Sequence, residues 1–246
     1  MRWTAMGVLV LVVVSGCGGQ RSSLLLERFA RGPLEDAQTV ARAIDWTLTP
    51  VVQTKTQEEV EVTVNHASRE YLNNFFDNTN LFGPFAGRNP YYPEHLVFYV
   101  NLANRGLHKI QIEPDEFRLV DDRGNQLATI GVDYVTAFAE YRAPVATGTR
   151  SVVEGARPGY FGISLPLGNW VARKPQWRFA LLKQSALQRG DLYPGVVHDG
   201  LIAFWNPSHE ATKLSLLITN IKAGFDAKDE PKSSLEFVFE FDATHP

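Results

Sequence analysis

Short segments in which apolar and polar residues alternate recur along most of this chain, and they restrict its fold more than any other feature. In residues 58–66 (EEVEVTVNH), Val60, Val62 and Val64 alternate with polar side chains, the pattern of a half-buried strand. Seven further segments show a similar pattern: 95–104, 116–122, 126–132, 176–184, 200–206, 213–221 and 235–242. They predict an all-β fold, an antiparallel β-sandwich with long loop inserts.

Two long connections interrupt the strand pattern. Residues 68–93 are dense in Asn, Gly, Pro and aromatic rings, and residues 133–175 begin with a helix-like segment and continue through Gly- and Pro-rich sequence. Upstream, apolar residues at three- and four-residue intervals from Pro33 to Trp46 predict a short amphipathic helix. The sequence therefore divides into a signal peptide (1–16), a tether (17–33), a short helix with a linker (34–50) and a β-sandwich domain (51–246).

The first twenty residues have the composition of a secretory signal. Arg2 and the amino terminus form a short positive end, and an unbroken apolar run from Val8 to Val14 follows before Ser15 and Gly16. That run is shorter than the roughly 20 apolar residues that a membrane-spanning helix needs. We therefore expect the segment to direct export and to be removed.

The tetrad Val14-Ser15-Gly16-Cys17 resembles the lipobox of bacterial lipoproteins. This resemblance implies cleavage before Cys17 and acylation, with palmitate among the acyl chains, of that cysteine as the first residue of the mature chain. Cys17 is the single cysteine, and an exported chain normally uses cysteines in disulfide pairs. Lipoproteins with Asp after the cysteine stay at the inner membrane, whereas Gly18 stands here, so the resemblance implies anchoring at the outer membrane, with the periplasmic or surface face left open.

A second resemblance lies within the strand region. Residues 96–130 contain a hydrophobic strand ending in Asn, a turn, a short strand and the stretch FRLVDDRG at 117–124. Together with LYPGVVHDGLIAFWNP at 192–207, they resemble telokin-like immunoglobulin domains of bacterial lipoproteins and exported proteins. This resemblance implies that the all-β fold is an antiparallel immunoglobulin-like β-sandwich with long loop inserts and a short N-terminal helix. It implies no particular activity, because the matching residues are turn formers and core positions.

Charge excludes one class of partner. The formal net charge is −3, and removal of residues 1–16, whose one charged side chain is Arg2, changes it to −4. Binding to nucleic-acid phosphates requires clustered Lys and Arg, and the sequence has no such cluster. We therefore expect no nucleic-acid partner.

The sequence has no motif for catalysis or for a cofactor. It lacks Gly-x-Ser-x-Gly, Gly-x-Gly-x-x-Gly and His-x-x-x-His patterns. We predict no catalytic residue, no metal ligand and no cofactor. Three groups contain possible metal ligands, and in each we favour a surface or turn role. His198-Asp199 with His209-Glu210 could bind zinc if the two pairs met in the fold. The turn Asp121–Asn125 has the oxygen ligands of a calcium loop, and the loop with Asp226, Asp229 and Glu230 is a second acidic group.

Aromatic residues in the first insert form the one candidate binding surface. Rings beside amide side chains suit glycan stacking or protein docking. The alternative is that the rings fold back and cap the open end of the sandwich. The candidate residues are Phe75, Phe76, Phe82, Phe85, Tyr91 and Tyr92.

These features lead to one functional hypothesis and two alternatives. We expect a lipid-anchored cell-envelope binding or assembly module without catalytic activity, attached to the membrane through its N-terminal lipid and contacting envelope proteins or glycans. One alternative is a metal-dependent or hydrolytic envelope enzyme whose site assembles only in three dimensions. The other is a structural subunit of an envelope complex.

Overall fold

The computed structural model describes residues 28–29, 42–132, 135 and 176–246, which form two antiparallel sheets. Strands are numbered in chain order. The larger sheet contains β1 (Thr47–Thr49), β5 (Ile110–Ile112), β6 (Arg118–Asp121), β7 (Gln126–Ala128), β8 (Gly190–Leu192), β10 (Lys213–Phe225) and β11 (Pro231–Thr244). The smaller sheet contains β2 (Val52–Gln57), β3 (Val60–His66), β4 (His95–Asn104) and β9 (Val197–Trp205). The prediction of an antiparallel β-sandwich is confirmed.

Strand order places the longest strands at the centre of the larger sheet. β10 pairs with β11 along one edge, and β1 continues the sheet beyond β11. The other edge of β10 pairs with β6 near its start and with β5 near its end, and these strands pair with β7 and β8 respectively. The smaller sheet has the order β2-β3-β4-β9. Every one of these ladders is antiparallel.

The main core lies between the two sheets. Val60, Val62 and Val64 of β3 are buried, as the alternation predicted, and so are Leu235, Phe237, Phe239 and Phe241 of β11. The rings of Phe98 and Phe241, one from each sheet, lie 5.5 Å apart between centroids. Burial of these large side chains, at roughly 25 cal/mol per Å² of apolar area, holds the two sheets together.

Within the described ranges, three helices whose two ends are both defined cover part of the outer face of the smaller sheet. They are α1 (Arg69–Phe76), α2 (Thr79–Phe82) and α3 (Gln176–Ser185), and two 3-10 turns are present at Gly83–Phe85 and Pro114–Glu116. Ser68 caps α1, since its Oγ accepts a hydrogen bond from the Tyr71 backbone at 3.2 Å. Buried side chains of the helices contact Val97, Leu201 and Ala203, which point outward from the sheet.

One of the predicted strands is a helix. Residues 176–184 show apolar alternation at Trp177 and Phe179, but they form most of α3. The buried positions of α3 are Arg178, Leu181, Leu182 and Ser185, which follow the three- and four-residue spacing of a helical face. The interpretation as a strand was wrong because two members of the buried face are polar. The other predicted strand segments each contain a strand.

The predicted N-terminal helix is wrong where it can be compared with the structure. Residues 42–46 have no helix and lead directly into β1. The Ile44 backbone N–H donates to the Pro93 carbonyl oxygen at 3.2 Å instead. Cys17, the signal peptide, most of the predicted helix and nearly all of the second insert lie outside the described residues. Within the described ranges, no helix has the length and apolar character to cross a membrane.

Candidate functional site

The aromatic residues predicted as a binding surface form a packed layer. Phe76, Phe82 and Tyr91 are buried, and Phe75, Phe85 and Tyr92 are half-buried. The Phe76 ring lies 5.1 Å from that of Phe75 and 5.0 Å from that of Phe82. All of these rings except Tyr92 cover the outer face of the smaller sheet and not the open end of the sandwich. The Tyr92 ring lies beside His95 instead, with 6.2 Å between the ring centroids. The aromatic insert is therefore mainly a second core.

Local hydrogen bonds occupy the acidic turns that resemble metal loops. Asp121 Oδ1 accepts from the backbone of Arg123 and of Asn125, each at 2.9 Å. Asp226 Oδ1 accepts from the backbone of Lys228 at 2.8 Å and of Glu230 at 3.0 Å. Both carboxylates thus stabilise their own turns. Nowhere in the described part of the chain do three His, Cys, Asp or Glu residues come together as a metal site would require.

The histidines weighed as zinc ligands lie apart from each other. His198 lies near the start of β9, where its Nε2 hydrogen-bonds with the Gln188 carbonyl oxygen at 2.9 Å. The adjacent Asp199 Oδ2 accepts a hydrogen bond from Tyr99 Oη at 2.6 Å. Burial, and then this contact, raise the pKa of the Tyr99 phenol. His209 is exposed on a turn beyond the opposite end of β9.

Exposed apolar side chains concentrate at one end of the smaller sheet. We call this the far end; it is where β4 ends and β9 begins. Seven large apolar side chains are exposed in the described residues, and four of them lie here. They form what we call the far-end patch: Leu107, 83% exposed, Tyr193, Val196 and Val197. A solvated cluster of this kind is a feature of interaction surfaces.

A single buried amide joins the two loops of the far-end patch. Asn104, which is 1% exposed, donates through Nδ2 to the carbonyl oxygens of His108 at 2.8 Å and Leu192 at 2.9 Å. Its Oδ1 accepts from the Gly106 backbone at 3.1 Å. The Asn104 backbone N–H also donates to the Val196 carbonyl oxygen at 3.0 Å. The exposed side chains are therefore held on hydrogen-bonded loops.

Acidic side chains lie beside the far-end patch. A groove of about 370 Å³ opens next to Leu107 and is lined by Glu58 and Glu59. Both glutamates are exposed, and neither has an ion-pair partner in the described ranges. The neighbouring cations are already paired, Arg105 with Glu61 and Lys109 with Asp191 and Asp229. The rim of the groove is consequently negative.

The two glutamates also occupy an unfavourable backbone conformation. They form the two-residue loop between β2 and β3, with φ of 47° at Glu58 and 62° at Glu59. Hairpin loops with two positive φ angles favour Asn-Gly, because left-handed backbone is costly for residues with longer side chains. Residues in a strained backbone conformation are often found at functional sites, where the position of their side chains matters more than the cost in stability. At this position they place two carboxylates beside the exposed apolar residues.

A polar cavity lies at the opposite, near end of the same sheet. Its volume is about 280 Å³, it is open to solvent on one side, and its lining comes from residues 44–46, the end of β3, the start of α1, most of residues 89–97, and Asn206. Asn206 fixes its wall, because Nδ2 donates to the carbonyl oxygens of Arg42 at 2.7 Å, Ile44 at 3.2 Å and Pro93 at 2.7 Å. This one side chain joins β9 to the chain entering β1 and to the segment before β4.

Three side chains that line the polar cavity carry polar atoms without protein hydrogen bonds. Within the described ranges, Trp46 Nε1 and Asn206 Oδ1 are fully buried and have no hydrogen-bond partner. His66 is 6% exposed, and its ring nitrogens form no hydrogen bond with any described residue, but they are not fully buried as the other two atoms are. A buried polar group left unsatisfied costs about 1 to 3 kcal/mol.

Both histidines of the polar cavity are neutral at pH 7. Burial lowers the pKa of His66 to about 4, with a smaller opposing effect of Asp45. Burial and the nearby Arg178 guanidinium lower the pKa of His95 to about 3. The charged residues among the lining, Asp45 and Arg69, are exposed. The buried part of the lining is therefore polar and neutral, and the charges that act on it come from Asp45 near His66 and from Arg178 near His95.

Sequence reasoning missed both ends of the smaller sheet. The far-end residues lie in two turn sequences, NRGLHK at 104–109 and YPGVV at 193–197. The signal that could have indicated an exposed apolar side chain there is an apolar residue directly after a turn glycine. The cavity residues His66, Asn206 and Trp46 are separated by up to 160 positions in the chain, counted from Trp46 to Asn206, and no local pattern connects them.

Comparison with known proteins gives limited information. No protein-family model matches the chain, and no curated protein sequence matches it. Among solved structures, the chain is similar to the crystal structure of the yjhA protein from Bacillus subtilis, with 14% sequence identity and a TM-score of 0.35. The match covers 76% of this chain and 93% of that chain.

Proposed function

We propose that the protein is a lipid-anchored cell-envelope module that binds a protein partner through the far-end patch. The observation that carries the proposal is the concentration of Leu107, Tyr193, Val196 and Val197 on two loops held by Asn104. Apolar side chains on preorganised loops lose little conformational entropy on docking. This makes them suited to form the centre of an interface.

The charges around the far-end patch restrict the partner. Glu58 and Glu59 are unpaired within the described ranges, whereas the neighbouring Arg105 and Lys109 are neutralised by carboxylates. Charge complementarity therefore favours a protein with an apolar contact surrounded by Lys or Arg. The partner would approach the far end, which is roughly 30 Å from the near end along the ten-residue strand β4.

The membrane attachment is the second part of the proposal. The lipobox-like tetrad and Cys17 support attachment through acyl chains, each buried methylene of which contributes about 0.8 kcal/mol. Attachment at an envelope membrane, with the outer membrane favoured by Gly18, would confine the domain to one surface. Confinement raises the effective concentration of the module for other envelope components.

Site-specific photocrosslinking in cells tests the docking proposal. A photoreactive amino acid replaces Leu107 in one full-length variant and Leu81, an exposed apolar residue away from the far end, in a matched control. We expect a discrete adduct with one protein from position 107 only, reduced at least about five-fold by Glu58→Lys with Glu59→Lys. Equal adducts from both positions, or an adduct that charge reversal leaves unchanged, would contradict the proposal.

A further inference from the structure

The strand β2 forms an open edge of the smaller sheet. In the described part of the chain it pairs only with β3, and five of its six residues are exposed. The strand at the opposite edge, β9, is covered instead. Its Leu201 carbonyl oxygen accepts a hydrogen bond from the Leu187 backbone at 3.0 Å, and its Ala203 carbonyl oxygen accepts one at 2.7 Å from a residue after β7. Of the two edges of this sheet, β2 is therefore the one that another strand can reach.

Three residues of β2 direct their backbone groups away from β3. The Val51 carbonyl oxygen accepts from the His66 backbone at 2.9 Å, so the backbone of residue 51 faces β3. Because the backbone groups of an antiparallel strand alternate in direction, the N–H and C=O groups of Val52, Thr54 and Thr56 face the open edge. None of these groups has a hydrogen-bond partner among the described residues. They are free to pair with another strand.

β2 lacks most of the features that protect edge strands from pairing. Its sequence, VQTKTQ, contains no proline, and its pairing with β3 runs without a bulge. Val52, Thr54 and Thr56 share one face of the sheet, and β-branched residues favour contacts between neighbouring strands. Val51 and Val52, which are 53% and 51% exposed, leave apolar surface in solvent at the start of the strand. A paired strand would cover that surface.

Lys55, the one charged residue of β2, restricts how two such edges can pair with each other. An antiparallel pair of β2 strands from two copies has a two-fold axis at its centre. A centre at Lys55 would place two ammonium groups opposite each other, which is unfavourable. A centre at Gln53 would place Thr56 opposite Pro50, which has no backbone N–H to donate. Both of these registers are therefore disfavoured.

A centre at Thr54 avoids both problems. Thr54 then pairs with its own counterpart, and Val52 of each copy pairs with Thr56 of the other. Because each of these residues has one N–H and one C=O group, all three open positions of both strands are paired. Lys55 then lies opposite the neutral Gln53 of the other copy. The β2 edge is thus complementary to itself.

We propose that two copies of this chain associate through their β2 strands, in an antiparallel register centred on Thr54. The two four-stranded sheets then form one continuous sheet across the two-fold axis. Six-residue strands make a small contact, below the roughly 1,200 Å² of specific stable interfaces, so the dimer is reversible and depends on protein density. This surface is distinct from the far-end patch, none of whose residues belongs to β2.

Crosslinking of the full-length protein in detergent micelles tests the inference. Thr54→Cys places a cysteine at the axis, where the two copies of residue 54 would lie about 5 Å apart. Thr63→Cys is the matched control, because Thr63 is the partner of Thr54 on β3 and its two copies would lie about 14 Å apart. We expect a short bismaleimide to join two chains at position 54 at least about ten-fold more than at position 63. Cys17 is present in both variants, so any adduct that it forms is common to them.

Proline tests whether the open backbone groups form the contact. Thr56→Pro removes an N–H that faces the open edge and leaves the hydrogen bonds with β3 in place. In the Thr54→Cys protein we expect this change to reduce the adduct at least about ten-fold, whereas Thr56→Val, which keeps the N–H, should leave it unchanged. Thermal unfolding checks that the proline variant folds.

A charge pair provides a second test that does not depend on proline. Val52→Lys with Thr56→Lys would place like charges opposite each other in the proposed register and should reduce the adduct at position 54. Val52→Lys with Thr56→Glu would place opposite charges there and should restore it. Equal adducts from these two double variants would overturn the proposed register.

Three further results would overturn the inference. They are equal adducts at positions 54 and 63, an adduct that a folded Thr56→Pro variant leaves unchanged, and an adduct whose mass is not twice that of the chain. The last result would identify another protein at this edge. None of them would alter the photocrosslinking at Leu107, so failure of this inference is distinct from failure of the docking proposal.

Discussion

Asn104 donates a hydrogen bond from its side-chain amide to the carbonyl oxygen of Leu192 at 2.9 Å, joining two loops that are 88 positions apart in the chain. This contact couples the stability of the sandwich to the surface that we propose for docking. Asn104 ends β4, and Leu192 ends β8 in the other sheet. The far end is thus built by both sheets together.

Removal of the Asn104 side chain should destabilise the protein. Asn104→Ala leaves the carbonyl oxygens of His108 and Leu192 without this donor, and we expect the free energy of unfolding to fall by about 2 kcal/mol. Chemical denaturation of the wild type and variant measures the change. Asn74→Ala, at an exposed position of α1, is the control and should change the value by less than about 0.5 kcal/mol. Equal effects would contradict the role of Asn104.

Gly200 is required because β9 passes very close to the chain that follows α3. A Cβ atom at Gly200 would lie 2.4 Å from the Leu187 backbone nitrogen and 2.5 Å from its Cα. We expect Gly200→Ala to lower stability by about 1 to 3 kcal/mol, because backbone atoms must move. A Cβ at Gly190 meets no atom within 4 Å, so Gly190→Ala is the matched control. Thermal unfolding of both variants compares the two positions.

Stability should decrease as the pH falls below neutrality. The unfolded state protonates His66 near pH 6.5, whereas the folded state resists protonation until about pH 4. Between these values the unfolded state binds more protons, so acidification favours unfolding, by an amount on the order of 3 kcal/mol for His66. His95, with a folded pKa of about 3, contributes in the same direction.

Denaturation at pH 7.5 and pH 4.5 measures this dependence. His66→Gln removes the titrating group, so its loss of stability between the two pH values should be smaller than that of the wild type. His209→Gln, at an exposed position, should retain the wild-type difference. If His66→Gln and the wild type lose the same stability on acidification, His66 is not the source of the effect.

Replacement of Glu58-Glu59 by Asn-Gly should raise stability and reduce docking. The new pair suits the positive φ angles of this hairpin loop, and we expect a gain of about 1 kcal/mol in the free energy of unfolding. The same change removes two carboxylates from the rim and should weaken the crosslink at Leu107. Glu58→Gln with Glu59→Gln separates the effects, because it removes the charges and keeps the strained backbone. That variant should weaken the crosslink without the gain in stability.

Cys17→Ser should release the protein from the membrane fraction. Acylation requires the thiol, so the wild type is expected to lose residues 1–16 and gain acyl mass, whereas the variant keeps its unmodified mass. Intact-mass analysis with membrane fractionation measures both properties. Identical mass and distribution of the two proteins would show that the Val14–Cys17 tetrad does not direct lipidation.

The sequence determined the elements whose burial follows a local period. Alternation identified β3 and β11 because each strand buries one face against the main core. Val60 of β3 and Phe239 of β11, for example, are both buried. It did not identify β1, β5 or β8, which have three residues each, although the equally short β7 lay within a longer predicted segment, 126–132. It also did not identify β2, because that strand is exposed along most of its length and has no buried face. It misassigned α3, because the buried Arg178 and Ser185 look like surface residues in a hydrophobic pattern.

Only the tertiary structure decided where the candidate sites lie. The aromatic residues around Phe76 looked like a binding surface in sequence, and packing against the smaller sheet turned them into a core. Leu107 and Val196, which belong to separate loops, lie at the same end of the smaller sheet because Asn104 hydrogen-bonds to both loops. Periodicity arises from contacts between neighbours in the chain, whereas a cavity or a patch depends on long-range pairing that brings distant segments together.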